Sequence, residues 1–231
     1  FKEFTFLECL AYRSAYAGTR YLPGGSLANC SNVGFDIAEG DTDMTVEDLT
    51  MIDCRAEECF LNGLHADQPP VKKRIHIERF SSYYNCQKWY LYAYTTARGI
   101  SLNKGDFTVI DARSDLDYIG INNNHGGTAT SRAVFINPEI RGSVNDGMYV
   151  PASDYGKTIV KGGLISGSGG VGFYTLCPDT EVDGLEIADT ASYAARIGTT
   201  TYPAHRSRVK FFINAPGQTG VYTQGSDDVK I

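Results

Sequence analysis

Short runs of alternating apolar and polar residues recur along the whole chain, separated by Gly, Asn, Asp and Ser. Three stretches can be laid over one another: residues 134–150 (VFINPEIRGSVNDGMYV), 180–197 (TEVDGLEIADTASYAARI) and 207–223 (SRVKFFINAPGQTGVYT). Each opens on an alternating strand. Each then places an aliphatic residue (Ile140, Ile187, Ile213) seven positions before a small one (Gly147, Ala194, Gly220), and a second apolar strand follows. Residues 158–175 match with one residue more, Leu164 preceding Gly172 by eight. The small residues Gly120, Gly147, Gly172, Ala194 and Gly220 are spaced 27, 25, 22 and 26 apart. Residues 4–22, 44–64, 75–92 and 107–121 repeat the strand–turn–strand order less regularly, and Asp227–Ile231 reads as the first strand of a further repeat.

No window sustains the i, i+3, i+4 apolar spacing of a helix. Many short strands point to an all-β protein. A sandwich or barrel would not carry a repeat of this length, whereas a solenoid does, because strands stack in register while the loops between them vary. The pattern therefore predicts one domain over 1–231, a right-handed parallel β-helix of about eight rungs of roughly 22–27 residues. Alternation sends every second strand residue inward; Val134 and Ile136, and Val209 and Phe211, are expected to line the core. The small anchors are expected where a Cβ would crowd the turn or where φ must be positive. Cys59 and Cys86 fall at similar points of their repeats and are expected in one interior stack.

Composition narrows the functional classes. The 231 residues carry a net charge of −6, with 42% hydrophobic and 21% charged residues, so the chain can bury a core. Lys72-Lys73-Arg74 and Arg206-Ser207-Arg208 are too short to track a phosphate backbone, which argues against nucleic acid. No apolar run is long enough to span a membrane as a helix. The six Cys have no metal-ligand spacing and His is scarce, so no metal or cofactor is expected and the thiols are expected free.

A rung of this length, with an apolar strand, an Asn/Gly turn and a second strand ending in Asp-Gly-aliphatic (Asn145-Asp146-Gly147-Met148, and Gly220-Val221 later), resembles the pectate-lyase-like parallel β-helix superfamily. The resemblance covers nearly the whole chain but speaks to fold. It implies affinity for acidic or neutral polysaccharides laid along the helix. The enzyme signatures of that superfamily are displaced here: His125-Gly126-Gly127 and Asp227-Asp228 stand where a polygalacturonase-like set would differ in order and composition. No capping helix opens the chain, so it is expected to be part of a longer protein or covered by partner chains. In this it is most similar to bacteriophage tailspike trunks, which implies a homotrimer or flanking domains, and a place on a virion or outside the cell.

Glycosidic hydrolysis uses two carboxyl groups, about 5 Å apart for retention and roughly 6.5–9.5 Å for inversion. Asp115 and Asp117, expected to alternate outward on one rung, with Asp146 and Glu139, form the expected hydrolytic set. A lyase would need a cation and a base, for which Arg141 and His125 are candidates. Arg113 and Tyr149 lie near in register as binding residues. Trp89, Tyr90 and Tyr92 are candidates for a sugar-binding platform, since aromatic rings offer apolar contact with a polar edge. Arg113 and Arg141 could equally be paired with Asp115 and Glu139 on the surface. The expected function is thus polysaccharide binding, with cleavage by a hydrolase or lyase, or binding by a shaft without catalysis.

Overall fold

Three strands, then a return to the first side, is the unit of the chain. The computed structural model describes residues 3–13, 33–38, 48–59, 61–67, 74–85, 98–103, 105–124, 132–151, 156–226 and 228–231. The first side is formed by Glu3–Leu7, Asp48–Ile52, Arg74–Glu78, Asp106–Ile110, Arg132–Ile136 and Lys157–Lys161. The second is formed by Leu10–Tyr12, Arg55–Glu57, Ser81–Tyr83, Arg113–Asp115, Glu139–Arg141 and Leu164–Ser166. The third side is an eight-stranded sheet running from Phe35–Ala38 through Leu64–Asp67, Arg98–Asn103, Ile119–Asn124, Met148–Val150, Phe173–Thr175 and Ala195–Ile197 to Val221–Thr223. All strand pairs are parallel and join consecutive turns. The chain is a parallel β-solenoid: six turns carry three separate strands, after which Glu181–Thr190 and Arg208–Pro216 run the first two sides together.

The corners explain how a chain with few glycines in its first half can turn so sharply. Between the first and second sides each of these turns places a residue in the left-handed region, Glu8, Asp53, Arg79, Asp111, Asn137 and Gly162, with φ of 50, 54, 50, 51, 49 and 61°, and the sixth adds Gly163 at 96°. A second left-handed column, including Glu58, Tyr84, Leu116, Gly142 and Gly167, ends the second side. A single left-handed residue reverses direction without a loop, at a cost for any residue with a Cβ.

The small-residue column has a different cause. Gly120, Gly147 and Gly172 have no positive φ; a Cβ on each would lie 2.6–2.7 Å from the carbonyl oxygen of the next turn's anchor and overlap an isoleucine Cγ2. Crowding alone keeps these positions small. The column extends upstream through Gly34, Gly63 and Gly99, whose neighbours are likewise the next anchor's carbonyl or a buried side chain. The seven-residue spacing needs no exception either. Ile165, not Leu164, is the inward residue of its strand, and it precedes Gly172 by seven.

The core is a file of stacked apolar side chains, with Phe80, Phe135, Phe173, Met51 and Leu64 among the largest that are fully buried. In Arg132–Ile136 the inward residues are Ala133 and Phe135; the expected Val134 and Ile136 face outward and are half-buried. Four consecutive apolar residues fit either register, so alternation could not choose the face. Val209 does point inward, and Phe211 packs against the core from a half-buried position. Cys59 is buried, but its neighbour in the next turn is Asn85, whose Oδ1 accepts the Cys59 N–H at 2.7 Å; Cys86 lies outside the described residues. The four described cysteines, Cys9, Cys54, Cys59 and Cys177, are unbridged. No helix among the described residues is long and apolar enough to cross a membrane.

Candidate functional site

The first side is hollowed into a groove of about 590 Å³, within the size range of ligand sites. Its floor is one outward column, Thr5, Thr50, His76, Thr108 and Val134, held in register by the parallel ladder. Beside it runs a column of charges: Glu3, Asp48, Arg74, Asp106 and Arg132. Arg74 reaches Asp48 through two hydrogen bonds, Nε to Oδ1 at 3.0 Å and Nη2 to Oδ2 at 3.1 Å. Asp106 Oδ1 accepts the Arg132 backbone N–H at 3.1 Å. The column thus holds three acids against two arginines, with Asp48 and Arg74 joined as an ion pair.

His76 is held from behind. Its Nε2 lies 3.3 Å from Glu78 Oε2, and Glu78 also pairs with Arg79. Arg79 in turn meets Asp53 through two hydrogen bonds, at 2.6 and 2.8 Å. The imidazole is therefore fixed in orientation between two threonines, all three able to donate or accept hydrogen bonds. Asp48 and Asp106 stand two turns apart, roughly 9.5 Å by strand spacing. Sequence reasoning missed His76 and Asp106. Their signal is positional: each repeats the place of Thr50 or Asp48 in the strand above.

The sequence-predicted residues are spread over three environments. Arg113, Asp115, Glu139 and Arg141 share the outer face of the second side, with Arg113 opposite Glu139 and Asp115 opposite Arg141. Arg113 Nε donates to Asp115 Oδ2 at 2.5 Å, and Arg141 Nε donates to Glu139. This is the paired surface arrangement. Asp117 is not outward, because Leu116 takes the left-handed corner between it and Asp115 and breaks the alternation. Its fully buried carboxyl accepts the Asn85 N–H at 2.8 Å and lies 2.6 Å from Ser114 Oγ. Burial pushes its pKa up to about 7, against the pull of hydrogen bonds from Ser114, Ser82 and Asn85. His125, Trp89, Tyr90 and Tyr92 lie outside the described residues.

Asp146 and Tyr149 do come together, on the third side. The column facing away from the core there reads Asp36, His65, Ser101, Asn122, Tyr149, Tyr174, Arg196 and Tyr222, of which Ser101 and Asn122 are buried. The Tyr149 and Tyr174 ring centres are 5.2 Å apart. Asp146 Oδ1 accepts the Val171 N–H at 2.9 Å. Burial raises the Asp146 carboxyl above its ordinary range, opposed by that hydrogen bond and the Arg196 charge. Burial also raises the phenols of Tyr149 and Tyr174, helped by the Asp146 charge. Each member of this column stands two residues after a small anchor, the sequence signal that would have found Tyr174, Arg196 and Tyr222.

Among the described residues, no group of three or more His, Cys, Asp or Glu is arranged to hold a metal ion. Comparison with protein-family models, curated proteins and solved structures finds no match. The solenoid is thus established by strand register, and its chemistry must be read from the side chains themselves.

Proposed function

We propose that the protein binds a polysaccharide laid along the first-side groove, across successive turns of a right-handed β-helix of about eight rungs. The observation that carries this reading is repetition. Thr5, Thr50, His76 and Thr108 present hydrogen-bonding groups on one line, at intervals of ~4.8 Å. A polymer whose hydroxyls recur along its length meets such a line many times over. The charges beside it, three acids against two arginines, favour a neutral or weakly charged chain over a polyanion. The resemblance to tailspike trunks extends the proposal to a trimer, or a chain with flanking domains, that works on cell-surface glycans from a virion or in the extracellular space.

Hydrolysis is the catalytic form of this proposal, with Asp48 and Asp106 as the groove carboxyls near the inverting separation. One observation favours the non-catalytic form. Asp115 and Glu139 are tied in ion pairs, and Asp117 is shut inside the solenoid.

The test is retention on immobilised bacterial capsule and pectin-type polymers, followed by assay for new reducing ends and for the ultraviolet absorbance of unsaturated products. Retention by at least one polymer, lost in Thr108→Trp, is expected. No retention on any polymer, or retention that Thr108→Trp leaves intact, overturns the groove. New reducing ends that disappear in Asp106→Asn decide for hydrolysis; their absence decides for binding alone.

A further inference from the structure

Arginines on this surface are commonly matched to carboxylates. Arg74, Arg79 and Arg206 each meet an aspartate through two hydrogen bonds, and Arg13, Arg113 and Arg141 each pair with one acid. Arg196 has tyrosine rings instead. Its guanidinium carbon lies 5.0 Å from the Tyr174 ring centre and 5.9 Å from that of Tyr222. Its Nε is buried without a hydrogen-bond partner among the described residues. Asp146 is close enough to feel its charge, and one oxygen of its carboxylate accepts the Val171 N–H. Arg98 adds a second positive charge felt by Tyr149. Tyr193 stacks on Tyr222 at 5.1 Å and 24°, which broadens the aromatic strip.

A guanidinium held between ring faces has terminal nitrogens that suit a carboxylate taken through two parallel bonds. The rings alongside suit the apolar face of a sugar. We infer that the third-side strip from Tyr149 to Tyr222 is a second glycan-binding surface, selective for a carboxylate-bearing sugar held on Arg196. It differs from the first-side groove in place and in charge preference, and does not depend on the groove being occupied.

A matched pair of probes tests it: a hyaluronan tetrasaccharide, which carries glucuronate, and chitotetraose, which is neutral. Nuclear magnetic resonance of the Arg196 Nε–H and the tyrosine rings reads both. The acidic probe is expected to shift the Arg196, Tyr174 and Tyr222 signals and to bind at least about tenfold more tightly than the neutral one, the worth of one charge-assisted contact. Arg196→Gln, checked for its native β circular dichroism, should make the two probes equal. Arg196→Lys, which keeps the charge on a similar stem, should retain part of the preference. Thr108→Trp should leave all these shifts as they are, which separates this surface from the groove. Equal binding of both probes by the native protein overturns the inference, as does an acidic probe that leaves the strip unmoved at millimolar concentration.

Discussion

Asp117 Oδ2 lies 2.6 Å from Ser114 Oγ, and both side chains are fully buried within the solenoid. A carboxyl so placed ties stability to pH. Its folded pKa is about 7 against an ordinary 3.8. Between those values the unfolded chain has released a proton that the folded one keeps. The Asp117 contribution to stability is therefore greatest below about pH 4, falls as pH rises towards about 7, and is level above that, with a total change of about 4 kcal/mol. Urea midpoints measured across this range should decline in the native protein. Asp117→Asn removes the ionisation and should flatten most of the decline. A residual slope of the same sign belongs to Asp146, also raised by burial. A variant curve as steep as the native one would remove Asp117 from the explanation.

The anchor column should tolerate almost no added volume. A Cβ at Gly147 would sit 2.7 Å from Gly172 O and 2.9 Å from Ser168 Oγ, besides overlapping Ile165. A backbone oxygen locked in a ladder cannot step aside. Gly147→Val should cost about 3 kcal/mol, at the upper end for overpacking, visible as a lowered thermal midpoint. An unchanged midpoint would mean the turns can separate locally.

Leu116 offers a gain instead. It holds φ at 55° while 41% exposed, so it bears left-handed strain with little burial in return. Asparagine enters that region more readily. Leu116→Asn should raise stability by up to about 1 kcal/mol, whereas Leu116→Ala, which keeps an ordinary Cβ, should not. Chemical denaturation of the two variants side by side checks the difference.

Phe135 and Val134 test the register of the first side. Phe135 is fully buried and Val134 lines the groove. Phe135→Ala should cost about 3–5 kcal/mol as a core truncation. Val134→Ala should cost less than about 1 kcal/mol. Reversed costs in equilibrium unfolding would turn the strand over.

These same residues show how far the sequence could be read. Gly120, Gly147 and Gly172 stand in one column with Ala194 and Gly220, and the crowding that keeps the first three free of a Cβ leaves a visible periodic trace. Gly34, Gly63 and Gly99 obey the same rule but are 29 and 36 residues apart, so loop length hid them. Val134 and Phe135 were inverted because both faces of their strand are apolar. Asp115 and Asp117 look like a surface pair in sequence, yet one left-handed residue between them sends the second inward. Asp146 and Tyr149 were each legible as candidates, but in different sets. Their partners Tyr174 and Arg196 come from other turns, and only the register brings them together.

The parallel register also makes the groove a ruler. Its cross-section is set within one turn, by a threonine or histidine and a neighbouring charge, while its length is set only by how many turns are stacked. Removing or duplicating one whole turn would shorten or lengthen the floor by a single rung and leave the remaining contacts in phase. A ligand built from repeating units would then be measured in whole steps, so that chain length, rather than the identity of any one unit, becomes the quantity on which selection could act.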